Sequence, residues 1–138
     1  MSISAFFSAL GAPLHNIMWS WGAISNKGEV FLRVWQDQTR KINEKMYVRV
    51  TDYAYSGGSA DLGFSERQRH IAKLREGFKG FVIFCIPKSP VTAPRSIQNF
   101  VKDKIFPTAE IIEIDGDVWV QFTVGVRVKD FLAAREQT

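Results

Sequence analysis

A chain of 138 residues fits one domain with a single ordinary core, and its 46% apolar and 23% charged residues argue against disorder. The longest apolar run, "GFVIFCIP" at residues 80–87, is too short to span a bilayer, and the single cysteine excludes an internal disulfide, which points to a reducing, cytoplasmic setting. A net charge of +4 leans toward polyanionic partners.

Ile3, Phe6, Phe7 and Leu10 fall at i, i+3, i+4 and i+7 and Gly11 follows, which predicts a short amphipathic helix with a glycine stop. The segment lacks the basic start of a secretory signal. Residues 19–24, 30–36 and 46–53 alternate with the period of two expected of strands. The turn "SNKG", with Gly28 free to take positive φ, should join the first two as a hairpin. The polar "DQTRKINEK" connects the second to the third, and "YSGGSADLG" leads loosely into a helix. Ser65 and Gln68 fit a capping box at the start of that helix and Gly77 its stop. Ile71, Leu74 and Phe78 give it one apolar side, while Arg69 and Lys73 face outward.

"GFVIFCI" is apolar without alternation, as expected of a central strand covered on both faces. Three prolines make "PKSPVTAPRS" a surface connection. Ile97, Phe100, Val101 and Ile105 suggest a further short helix that Pro107 ends. "EIIEIDGDVWVQFTVGVRV" reads as a hairpin turning at Asp115-Gly116, and a helical turn follows at "KDFLAARE". Six strands and these helices predict an α+β single domain. Its mixed sheet should be strongly curled or a small open β-barrel, flanked by two to four short helices.

Alternation sorts the strand residues by face. Val30, Leu32 and Val34 oppose Phe31, Arg33 and Trp35; Val48 and Val50 oppose Tyr47, Arg49, Thr51 and Tyr53. Val118, Val120 and Phe122 oppose Trp119 and Gln121, and Trp19 and Trp21 share a face. The aliphatic side is core. The second side combines indoles and guanidinium groups, which stack on bases and pair with phosphate. The same residues also stabilise sheets by cross-strand pairing, and a helix covering them would make them ordinary core. Trp19, Trp21, Trp35, Arg33, Tyr47, Arg49 and Tyr53 are therefore the candidate ligand-binding residues.

Catalytic signatures are missing. His15 and His70 lack metal-ligand spacing, and His70, beside Arg69 and Lys73, reads as solvated or phosphate-facing. The acidic "EIDGD" is explained by turn chemistry. No phosphate-binding glycine loop, nucleophile elbow or paired zinc histidines occur, so no catalytic residue, metal or cofactor is expected.

The segments "LGAPLHNIMWSWGA", "VFLRVWQD", "ERQRHIAKLREGFKG" and "EIIEIDGDVWV" resemble a group of small bacterial proteins of mostly unassigned role. In layout and aromatic content the chain is similar to the PUA-like superfamily, which includes the EVE, YTH, ASCH and SRA modules. That resemblance implies a reader of modified or flipped bases. Trp19, Trp21 and Trp35 would be the cage, and Arg33, Arg49, Arg69 and Lys73 the phosphate contacts. The implied partner is nucleic acid, DNA before RNA, with a separate nuclease or other effector protein and no membrane. A protein-interaction or inhibitory module using the same face, and a small nucleotide-acting enzyme, stand as alternatives.

Overall fold

The computed structural model describes residues 1–52, 61–88 and 97–136, and the elements below are those of the described residues. It is an α+β fold with a mixed nine-stranded sheet and three helices. Helix α1 (Ile3–Ala9) starts on Ser2, whose hydroxyl accepts from the Ala5 N–H, and ends at Gly11 in the left-handed region (φ 78°). Phe6, Phe7 and Leu10 are buried, as their spacing requires.

Strands β1 (Gly22–Ile24) and β2 (Glu29–Trp35) form the expected hairpin, turning through Gly28 at φ 76°. Trp19 and Trp21 precede β1 rather than lying along a strand, so period-two alternation does not place them on a shared sheet face. The polar connection contains an additional strand, β3 (Thr39–Ile42), paired antiparallel with β4 (Lys45–Arg49) through a turn at Asn43 and Glu44, both at positive φ. The strand lies at the edge of the sheet, which is why its sequence shows no apolar face.

Helix α2 (Asp61–Arg75) begins before Ser65, which stands a turn inside it and so is not its N-cap. β5 (Lys79–Pro87) is the central strand, parallel to β2, with its alternate sides entering two different cores. The expected helix over residues 97–105 is absent. Its place is taken by β6 (Ile97–Phe100), which pairs with β5, and the start of β7 (Lys104–Ile114). Pairing to β5 and burial of Phe100 and Ile105 under α1 override the helix-like spacing. Pro107 is accommodated within β7, opposite Phe81 and close to the register shift between Thr108 and Ile111. β8 (Asp117–Phe122) returns through the Asp115-Gly116 turn, and β9 (Val126–Arg127) leads into α3 (Val128–Glu136).

The strand order is β1-β2-β5-β7-β8-β4-β3, with β6 on β5 and β9 on β7. One core gathers Val30, Leu32 and Val34 of β2 with Val48 of β4 and Val118 and Val120 of β8, beneath Ile71 and Leu74 of α2. The other lies between β2, β5 and α1, with Phe131 of α3 against Phe31 and Phe81 at 6.1 and 5.2 Å. Arg135 fastens α3 to the Leu10 carbonyl and the Glu29 carboxylate.

Candidate functional site

The segment Asn16–Trp21 is built around Ser20. Its N–H donates to the Asn16 carbonyl (2.8 Å), its hydroxyl accepts from the Asn16 N–H (3.0 Å) and donates to the buried Glu66 carboxylate (2.9 Å). Glu66 also accepts from the Trp21 N–H at 3.3 Å. On α2, Gly63 permits this close approach, because a Cβ there would lie 3.0 Å from the Trp19 carbonyl oxygen. The backbone that carries Trp19 and Trp21 is thereby locked to the helix.

Trp21, Arg33 and Trp35 come together. The Arg33 guanidinium carbon sits 4.3 Å from the centre of the Trp21 ring, and the Trp21 and Trp35 rings are 5.2 Å apart at 57°. Arg33 is buried and donates to the Ser20 carbonyl at 2.8 Å, so its charge props the indole from within. Burial lowers its pKa, an effect opposed by the neighbouring Cys85. Trp21 and Trp35 stay half-buried, with Trp35 packed against the α1 core. Trp19, also half-buried, meets His15 edge-on at 5.8 Å. The three tryptophans are neither fully exposed nor sealed.

Tyr47 and Arg49 belong to a different face, on β4, opposite Gln121 and Trp119 of β8. Tyr47 is buried and its hydroxyl donates to Glu110; that bond and burial raise the phenol pKa. Arg49 pairs with Asp52 at 3.1 Å and Asp117 at 3.7 Å. The fourth indole, Trp119, is buried there beneath the Arg40 guanidinium at 4.9 Å. Tyr53 lies outside the described residues. On α2, Arg69 is exposed as expected, while Lys73 is half-buried, pairs with Glu76 at 3.6 Å and lies 5.3 Å from the Phe78 ring centre.

Arg67, which no motif or strand alternation singles out, ties the site together. Its guanidinium is buried and donates to three carbonyls, those of Val50 (2.7 Å), Arg33 (2.7 Å) and Trp21 (2.9 Å). Burial first, then the Arg33 charge, pull its pKa to about 10, with Glu66 opposing them. His70, expected in solvent, is buried instead, with Nδ1 unpartnered against Gly22. Burial and the charges of Arg67 and Arg69 lower its pKa to about 4, so it is a neutral packing group at physiological pH. A signal existed: Arg67, His70, Ile71 and Leu74 share one helical stripe, so the charge on that stripe had to be buried and satisfied.

Among the described residues no group of three or more His, Cys, Asp or Glu side chains could hold a metal ion, and no helix is long and apolar enough to cross a membrane. Cys85 is fully buried and its thiol pKa is raised by that burial, which makes it core filling rather than a nucleophile. The arrangement offers stacking surfaces and fixed positive charge. Neither a protein-family model, nor a curated protein, nor a solved structure matches this chain.

Proposed function

We propose that the protein is a non-catalytic nucleic-acid-binding module that reads a modified or flipped base, in DNA or alternatively in RNA, on a PUA-like scaffold. The sheet is proposed to be strongly curled, as a small open barrel. Support for the curl comes from β2 and β4, which are not neighbours in strand order yet share one apolar core, with Arg67 donating to the Arg33 carbonyl in β2 and to the Val50 carbonyl just past β4.

The observation that carries the binding reading is the half-buried Trp21–Trp35 pair with a guanidinium fixed against it. Rings held in place in the free protein lose little freedom when a base stacks on them. Arg69 and Lys73 lie further along α2, about two and three turns from Gly63, at roughly 9 and 15 Å. That spacing suits a strand whose base is held at the tryptophans and whose phosphates run along the helix.

The test is a titration against modified and unmodified oligonucleotides at two salt concentrations. Phosphate contacts predict affinity that falls steeply with salt, and Arg69→Ala with Lys73→Ala should flatten that slope. Trp21→Ala and Trp35→Ala should each weaken binding about tenfold or more at fixed salt. Affinity indifferent to salt and to both tryptophan substitutions would defeat the proposal.

A protein-interaction module is the second reading. Ile17 and Met18, 70% and 86% exposed, stand on the turn just before Trp19 and extend the aromatic surface with the apolar groups that interface centres favour. Recovery of one protein after nuclease treatment, lost in Met18→Asp, would select this reading.

A further inference from the structure

The apolar interior shared by β2, β5 and β8 is closed at one end and open at the other. Along β2 the inward row runs Val30, Leu32, Val34, and the exposed Gln36 follows in the turn just past the strand; along β5 it runs Gly80, Val82, Phe84. At the Gly80 end α2 plugs the interior, with Leu74 so close that a Cβ on Gly80 would lie 2.3 Å from its methyl group. At the Phe84 end, about 13 Å away along the strand, the row ends in an open cavity of about 270 Å³ lined by Gln36, Thr39, Phe84, Val101, Phe106 and Phe122.

Three aromatic rings make its wall. Phe84 meets Phe106 and Phe122 edge-to-face at 5.0 Å each, and those two stand 6.1 Å apart at 86°. The three rings touch edge to face and so form one continuous aromatic surface on which a flat guest stacks. Two polar groups border it. The backbone of Gln36 is fixed by its N–H to the Cys85 carbonyl, and Thr39 is held in register with Val48. Neither the Gln36 amide nor the Thr39 hydroxyl makes a side-chain hydrogen bond with a described residue. No charged residue lines the wall.

We propose that this cavity is a second binding site, for a neutral planar heteroaromatic ring system of nucleobase size. The volume fits, since about 150 Å³ of dry apolar cavity accommodates benzene. A flat guest stacks on one phenyl ring and meets the edges of the others. Its adjacent donor and acceptor pair with the Gln36 amide and the Thr39 hydroxyl. No charged residue lines the cavity to pair with a carboxylate or phosphate, so a nucleotide enters base first. The site shares no residue with the tryptophan cluster and does not depend on the function proposed for it.

The experiment follows methyl and backbone chemical shifts of the whole protein during titration with adenine, cytosine, naphthalene and cyclohexanol. Saturable shifts centred on Val101, Thr39 and Gln36 are expected for the heterocycles, with cyclohexanol at least about tenfold weaker because it cannot stack. Thr39→Val with Gln36→Leu should weaken adenine about fivefold and leave naphthalene unchanged. Val101→Trp, which fills the space, should abolish binding, whereas Trp21→Ala should leave it intact. An oligonucleotide with one unpaired base separates the two sources of the ring: the same shifts mean a base presented on a strand, and their absence beside a positive free base means a free metabolite. No saturable shift at millimolar adenine or cytosine, or shifts that map away from these residues, would overturn the proposal whether or not the variants fold.

Discussion

Replacing Arg67 by alanine removes a buried guanidinium that joins three separate segments. Its donors reach the carbonyls of Val50, Arg33 and Trp21. At about 2 kcal/mol for each charge-assisted bond, the three stabilise the fold by roughly 6 kcal/mol. Against this stands the cost of burying the charge. Burial pulls the guanidinium pKa down to about 10, a fall that corresponds to about 3 kcal/mol. The net loss on Arg67→Ala is therefore about 3 kcal/mol, of which the Trp21 carbonyl accounts for least, because it also accepts from the Arg33 N–H at 2.7 Å. Urea unfolding reads this directly. With a slope of about 2 kcal/mol per molar, the midpoint should fall by roughly 1.5 M. Arg67→Lys should recover little, since an ammonium cannot span three carbonyls arranged for a planar fork. Tryptophan fluorescence of the folded variant should also shift, because the Trp21 backbone loses an anchor. An Arg67→Ala protein within about 1 kcal/mol of the parent would refute the reasoning and mean that burial of the charge cancels its bonds.

The remaining expectations are smaller in scope. His70 titrates near 4 in the folded chain against about 6.5 when unfolded, so the unfolded state binds the proton first as pH falls. Stability should be flat above pH 7 and decline by up to about 3 kcal/mol between pH 6.5 and 4; His70→Gln should lose that increment in matched urea titrations. Gly80→Ala forces a methyl to within 2.3 Å of Leu74 and 2.5 Å of the Thr108 hydroxyl, and should lower stability by about 1–3 kcal/mol, read as a fall in melting temperature. Cys85, fully buried with its thiol pKa raised, should resist a disulfide-exchange reagent until the protein unfolds. Rapid labelling of the native protein would contradict its placement in the core.

Local chemistry made parts of this fold legible. The four apolar residues of α1 and its glycine stop, the Gly28 and Asp115-Gly116 turns, and the two-sided burial of β5 each follow from short-range spacing. Long-range pairing hid the rest. Ile97, Phe100, Val101 and Ile105 mimic a helix because a strand, a turn and a second strand happen to place apolar residues three to five apart. β3 carries Arg40 and Lys41 exposed at an edge, so it offers no hydrophobic pattern, although Asn43 before its partner strand was a usable turn signal. At the candidate site, alternation placed Arg33 and Trp35 correctly on one side of β2 and Tyr47 and Arg49 on one side of β4. It could not say which strands face one another. The tie through Arg67 depends on that missing knowledge.

The pairing of β2 with β5 carries a cost during synthesis. Every residue from Glu29 to Trp35 aligns with the residue fifty positions later, from Lys79 to Cys85. A chain emerging from the ribosome can close the β1–β2 and β3–β4 hairpins early, because their partners are adjacent. One flank of β2 then remains without hydrogen-bonding partners until α2 and the whole of β5 have been made. For that interval an apolar strand edge is open to another nascent chain, so yield in a cell should depend on translation speed and chaperone supply more than the finished molecule's stability would suggest.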